Sequence, residues 1–228
     1  MIVSKQKPFA EILAALAESR KIFLVGCAKC ATVCKSGGEE EIWQMQEQLA
    51  SAGKEVTGSI VIDEACHMLR AGRDLRGRKE MVGDADALLV LACGAGVQFS
   101  AEIMEPLRVL PALNTRFIGI TAEEGAWSER CRACGSCLLG DYGGICPVTI
   151  CAKGLLNGAC GGSKNGKCEA SQEKDCAWVL IYNRLKKQNR LDALRSFTTA
   201  KDFSVQAHPG QFINEAYLKP KMEEKSAQ

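Results

Sequence analysis

Residues 131–147 read CRACGSCLLGDYGGICP, four thiols and a proline set among glycines, with few side chains that could build a hydrophobic core. A segment of this kind has to fold around something other than its own apolar surface, and cysteine chemistry narrows the choice. The whole chain carries 13 cysteines, an odd number that complete disulfide pairing cannot use up. No stretch approaches the ~20 continuous apolar residues of a membrane span. The early segment PFAEILAALAESR places Glu11 and Glu18 inside a helical apolar pattern, which is not the composition of a secretory leader. A cytoplasmic protein is expected, and in that compartment clustered thiolates are metal or iron–sulfur ligands rather than disulfides.

The cysteines fall into two groups with different surroundings. Cys27, Cys30, Cys34, Cys66 and Cys93 lie in a region where strand and helix patterns alternate. KIFLVGC and ADALLVLACGAG are continuous apolar runs of the kind found in parallel strands covered on both faces, VTGSIVI is β-branched, and TRFIGI is a shorter strand. Between them, EEEIWQMQEQLASAG and MLRAGRDLRGRKEMVGDA have helical character, the first ending at Gly53. This alternation predicts an α/β fold with an open parallel sheet of the Rossmann or flavodoxin-like type over residues 1–125. In such sheets ligands gather at the carboxyl ends of the strands. Cys27 and Cys93 end strands and Cys66 follows one, so the three are expected to converge. Cys30 completes a four-thiolate metal site, with Cys34, one helical turn on, either a spare or its replacement. The ACGAG glycines lack the rest of a dinucleotide fingerprint, and no phosphate-binding loop is present.

The second group spans a loop-dominated cysteine-rich domain over residues 126–200, followed by a polar tail, 201–228. Cys131, Cys134 and Cys137 form a C-x-x-C-x-x-C run, and Cys146 precedes Pro147. The pattern resembles the bacterial ferredoxin run with its last gap lengthened, in which three cysteines hold one cluster and the Cys-Pro cysteine reaches a second. Cys131, Cys134 and Cys137 with a distant partner would hold one cluster, and Cys146 with cysteines from 151–168, Cys151, Cys160 and Cys168, another. Zinc competes for such sites. The pattern AWVLIYNRLKKQNRLDALR predicts an amphipathic C-terminal helix with Trp178, Ile181, Tyr182 and Leu185 on one face. Trp43 and Trp127 are read as packing residues, His67 as solvent-facing, and Arg70, Arg73, Arg76, Arg78 and Lys79 as a solvated helix face. A net charge of +2 and an aromatic content of 6% give no footprint of nucleic-acid binding.

GCAKCATVCKSGGEEE, LACGAGVQ, PALNTRFIG, CRACGSCLLGDYGGICPVTICAKGLLNGACGGSKNGKCE and CAWVLIYNRL together resemble the methylenetetrahydrofolate reductase C-terminal-domain family, the small metal-binding subunit of two-subunit reductases from acetogenic bacteria and their relatives. The resemblance runs from about residue 20 to 190. It implies an electron-transfer subunit with two or three [4Fe–4S] clusters, one of whose sites is open to zinc. The implied ligands are Cys27, Cys30, Cys66 and Cys93, then all eight cysteines beyond residue 130, Cys176 included. It also implies a partner, a flavin-bearing TIM-barrel subunit that reduces 5,10-methylenetetrahydrofolate to 5-methyltetrahydrofolate, with a ferredoxin or another protein as electron donor. The chain would then be enzymatic only within that complex, with no catalytic residue, folate site or flavin of its own. The alternative is a zinc-stabilised scaffold without a redox role.

Overall fold

The computed structural model describes every residue except 207, 215 and 217–228, with the side chain of residue 79 also left out. Two compact units divide at Arg132 and Ala133.

In chain order the first unit contains β1 (Ile2–Gln6), α1 (Phe9–Ala15), β2 (Lys21–Cys27), α2 (Cys30–Val33), α3 (Glu39–Ser51), β3 (Glu55–Ile62), α4 (Met68–Arg76), α5 (Lys79–Gly83), β4 (Ala87–Leu91), α6 (Gly94–Met104), β5 (Arg108–Pro111), β6 (Leu113–Glu123) and β7 (Ala126–Cys131). The expected parallel sheet is present, four strands in the order β3-β2-β4-β5. Its central strands are buried along their length, Ile22 to Cys27 on β2 and all of β4, which is why both read as unbroken apolar runs. Helix α1 seals the core with Ile12, α3 with Ile42, Met45 and Leu49, and α4 with Ala71 and Leu75. Helix α3 stops at Ala52, and Gly53 follows at φ 77°, the left-handed conformation that glycine adopts without steric penalty.

One assignment changes. TRFIGI is not part of the parallel sheet. It lies in β6, at the centre of a separate antiparallel sheet in the order β1-β6-β7. Strand β1 is short and is followed within two residues by Pro8 at the start of α1, so the alternation that would reveal it covers too few residues to stand out in the sequence.

The second unit has little regular structure: α7 (Pro147–Ile150), a β8–β9 hairpin (Lys167–Cys168 and Ser171–Asp175), α8 (Ala177–Lys187) and two short 3-10 turns, Leu191–Arg195 and Ser204–Gln206. Its core is small: Tyr142, Cys176, Trp178, Ile181 and Leu185. Trp178, Ile181 and Leu185 are buried as the helical pattern requires, whereas Tyr182 is 46% exposed. The helix ends earlier than its pattern, with Asn189 at φ 54° turning the chain out. Among the described tail residues, Phe203, Val205, Phe212 and Ile213 are exposed. The remainder of the predicted polar tail lies outside the described residues.

Two contacts fix the sheet from opposite ends. At the amino end of β2, the Asp86 carboxylate accepts the backbone N–H groups of Arg20 and Lys21, each at 2.8 Å. Those bonds hold its pKa below the ordinary carboxylate value. At the carboxyl end, a Cβ on Gly37 would stand 2.0 Å from the Leu91 carbonyl oxygen and 2.8 Å from its carbon, so only glycine lets this loop pass over β4. Replacing Gly37 with Ala is expected to lower stability by about 1–3 kcal/mol, read as a lower urea midpoint with an unchanged slope. Because the folded pKa of Asp86 is depressed, its contribution is present above the unfolded pKa and is lost as pH falls through the lower folded value. Asp86→Asn should therefore destabilise at pH about 7, and the gap to wild type should close in urea titrations carried below the depressed folded pKa of Asp86.

Candidate metal centres

Three strand ends bring three thiols to one edge of the parallel sheet. Cys27 is the last residue of β2, Cys93 caps α6 just after β4, and Cys66 sits in the turn after β3. Since β2 pairs with both β3 and β4, these are neighbouring strands. The Cys66 thiol is pushed up by burial first, then by the negative charge that Cys93 and Cys27 would carry, which places both of them near enough for Cys66 to feel their charge.

Local packing shows why the chain turns here as it does. Gly96 lets α6 close on the loop before Cys66, for a Cβ there would lie 3.0 Å from Ala92 Cβ and 3.1 Å from Ala65 Cβ. The GAG stretch thus serves close helix packing. Beside Cys93, the Gly94 N–H donates to Thr115 Oγ1 at 2.9 Å, tying the start of α6 to β6. After Cys27, the Thr32 hydroxyl donates to its carbonyl at 2.8 Å, and Gly38 N–H donates to the buried Glu41 carboxylate at 2.8 Å, which starts α3. His67 is not solvent-facing alone: its Nδ1 accepts the Arg70 N–H at 3.5 Å and caps α4. Around the same turn Asp63 pairs with Lys29 and Arg70, which lowers its pKa, the Lys29 bond contributing most.

Cys30 is placed differently from its three expected partners. Its sulfur accepts the Ile2 N–H of β1 at 3.4 Å, and it lies within the field of Cys34. Cys34 is buried, and burial raises its thiol pKa. The structure therefore groups Cys27 with Cys66 and Cys93, and Cys30 with Cys34.

The eight remaining cysteines also divide. Cys151, Cys160, Cys168 and Cys176 line a single enclosed cavity of about 20 Å³ in the second unit, together with Lys153, Glu169 and Trp178. This set differs from the sequence expectation, which drew Cys146 to Cys151–Cys168. The β8–β9 hairpin is the reason: it returns the chain so that Cys176 N–H donates to the Gly166 carbonyl at 2.7 Å. Gly161 and Gly166 have φ of 82° and 78°, left-handed bends beside Cys160 and Cys168. On the cavity wall Cys160 Sγ donates to Glu169 Oε2 at 3.5 Å, and Lys153 pairs with the same carboxylate. Those two contacts hold the Glu169 carboxyl below its usual range, the Lys153 bond contributing most.

Cys131 closes β7 in the first unit, while Cys134, Cys137 and Cys146 belong to the second. The Cys134 thiol lies 3.8 Å from the Ser136 carbonyl, and Cys146 Sγ lies 3.5 Å from Thr149 Oγ1. Ala133, between the first two thiols of the run, has φ 52°, a left-handed conformation that costs a non-glycine residue about 1–2 kcal/mol. No disulfide forms among the described residues. Nor do any three His, Cys, Asp or Glu side chains among them stand close enough to clasp one ion.

The fit to metal therefore rests on the donor sets. Three thiols at neighbouring strand ends, and four thiols facing one cavity, are soft-ligand arrangements that suit iron–sulfur clusters or zinc. The cavity in the second unit is small, about 20 Å³, and its four thiols would have to draw together before they could hold a single ion.

An α/β protein with thiols gathered at its strand ends and a second, cysteine-rich unit is thus the class that fold and site define. Residues 110–204 match the family model described as methylene-tetrahydrofolate reductase C terminal, so this part of the chain is similar to that domain. The matched stretch takes in β6, β7, all eight cysteines of the second group and α8. No curated protein and no solved structure matches the chain. No helix among the described residues is long and apolar enough to cross a membrane.

Packing beside the four-thiol cavity depends on Tyr142. Its ring meets Trp178 edge-on at 5.6 Å and 81°, and its hydroxyl reaches the Leu156 carbonyl at 3.0 Å and Thr198 Oγ1 at 2.6 Å. Tyr142→Phe is expected to cost the second unit about 1–3 kcal/mol by leaving those partners unmet, seen as an earlier loss of the aromatic circular dichroism on urea titration.

Proposed function

We propose that this chain is the electron-transfer subunit of a two-subunit methylenetetrahydrofolate reductase, delivering electrons to a flavin on a separate catalytic subunit. The observation that carries the reading is the gathering of Cys27, Cys66 and Cys93 at adjacent strand ends in a chain that also carries the methylenetetrahydrofolate reductase C-terminal-like domain. Bound clusters would supply reversible one-electron storage at a potential that surrounding charge and hydrogen bonds can tune.

The chain's own residues hold and insulate such groups. In the first unit Cys27, Cys66 and Cys93 are the ligands, with Cys30 or Cys34 as the fourth after a change in the Ile2 contact. In the second unit Cys151, Cys160, Cys168 and Cys176 form one set, and Cys134, Cys137 and Cys146 remain as further thiols of the same unit. Lys153 lies where it offsets thiolate charge, and Trp178 shields the cavity from water. Beside Cys66, the first turn of α4 exposes Met68 and Leu69, with Arg73 and Arg76 following. That mixture of apolar and basic groups suits docking of an acidic donor such as a ferredoxin.

A specific observation favours a second reading for one site. Four thiols, Cys151, Cys160, Cys168 and Cys176, line one small cavity, a donor set that zinc also takes once the sulfurs draw together, and zinc there would make this unit, though not the whole chain, a scaffold.

Iron, acid-labile sulfide and zinc per polypeptide, measured after purification without oxygen, test both readings. Iron and sulfide in equal amounts, with visible absorption that bleaches on dithionite, are expected. Cys93→Ser should remove about one cluster's iron and leave zinc unchanged, whereas Cys160→Ser should remove whichever metal the second unit holds. A colourless protein with zinc alone would end the electron-transfer reading.

A further inference from the structure

We propose that the first unit holds a second binding site, one that takes a phosphorylated ligand with a flat ring, of the size of a nucleotide or flavin mononucleotide. The site is a cavity of about 770 Å³ bounded by β1, the turn after α2, β6 and β7. Cys27, Cys66 and Cys93 do not line it, whereas Cys34 does. Its volume falls in the roughly 300–1,000 Å³ range of small-molecule sites.

Charge is the first argument. Lys5, Lys7, Lys35 and Arg116 line this cavity, and no Asp or Glu does. Lys7 is paired with Glu11, but Lys5, Lys35 and Arg116 have no ion-pair partner among the described residues. Like charges held around one concavity repel one another, and an anion of two charges relieves that repulsion while gaining multiple charge-assisted hydrogen bonds. A phosphate monoester has that charge and the oxygens to meet several cations at once.

The walls argue for a ring. Phe117 and Trp127 both line the cavity, giving it apolar aromatic surface beside its cations. The Trp127 indole N–H is buried and makes no hydrogen bond, an unmet donor at the edge of a polar cavity. It is closed off from water where it stands, so a small turn of the ring is needed before a ligand acceptor reaches it. Buried donors are seldom left unmatched without a functional reason. No contiguous motif announces the site, because its cations come from three separate segments: β1 and β6, which pair, and the turn after α2, a helix that packs on β1.

The test uses the full chain as purified, in low-salt buffer, with flavin mononucleotide, AMP and orthophosphate as probes. Binding is read by calorimetry and by tryptophan emission. Flavin mononucleotide or AMP is expected to bind in the micromolar range, roughly 1–100 µM, and orthophosphate at least about tenfold more weakly. Lys35→Glu combined with Arg116→Glu should weaken the ring-bearing ligand at least about tenfold while metal content and far-ultraviolet circular dichroism stay unchanged, since both side chains are exposed. Trp127→Phe should remove most of the emission change. Three results would overturn the proposal: no heat with either ring-bearing probe up to about 1 mM, binding indifferent to the charge reversal, or equal affinity for orthophosphate. Tighter binding of a polyglutamate peptide than of either nucleotide would also overturn it and give the groove to an acidic polypeptide. None of these readings depends on metal or on electron transfer.

Discussion

Burial of β2 between β3 and β4 is the constraint from which the rest of the first unit follows. Ile22, Phe23, Leu24 and Val25 are fully enclosed, and a strand with both faces covered has only its ends available for chemistry. Parallel pairing then makes those ends coincide: Cys27 pairs in register with Ile62, and Gly26 with Leu91. Three thiols that are far apart in sequence come together because the sheet cannot pair otherwise without exposing its core. Gly26, Gly37 and Gly96 are the complementary condition, since loops and helices must pass close to the strand ends to leave the sulfur atoms at the surface of the core.

The second unit inverts this relation. Five buried residues make a core too small to offset the chain entropy of ordering so many loops. Its thiols line a cavity next to that core, and Cys176 belongs to both. Cross-linking through a metal would act where apolar burial is insufficient, so here the ligands would build the fold instead of being positioned by it. The left-handed glycines beside Cys160 and Cys168 fit that role, because a chain wrapping a compact centre needs turns that other residues take only with strain.

How much of this was legible in the sequence depended on whether the signal was local. Cys27 and Cys93 were placed correctly because each ends an apolar run whose length and composition mark a buried parallel strand. Cys30 was drawn to them by its three-residue spacing from Cys27, yet its sulfur meets Ile2, on a strand too short to announce itself. The TRFIGI segment was correctly read as a strand, but nothing within it says which sheet it joins. Cys176 was distant from its companions in sequence, and only the β8–β9 hairpin brings it back. In each case the missing information was a pairing between segments, which no local pattern encodes.

The same distinction explains why the basic cavity had no sequence signature while the thiol sites did. Thiolates for one metal site often come in short spacings, because one turn can present two or three of them to a single centre. Cations around an anion need not be close in sequence, since each long side chain reaches the ligand independently. Lys5, Lys35 and Arg116 were therefore unremarkable as single residues in a chain of 29 lysines and arginines. They form a set only because β1, a strand the sequence pattern does not reveal, pairs with β6 on one side and packs against α2 on the other. The strand that escaped the sequence pattern both engages Cys30 and forms one wall of the cavity, so one short element couples the thiol arrangement of the first unit to its basic groove.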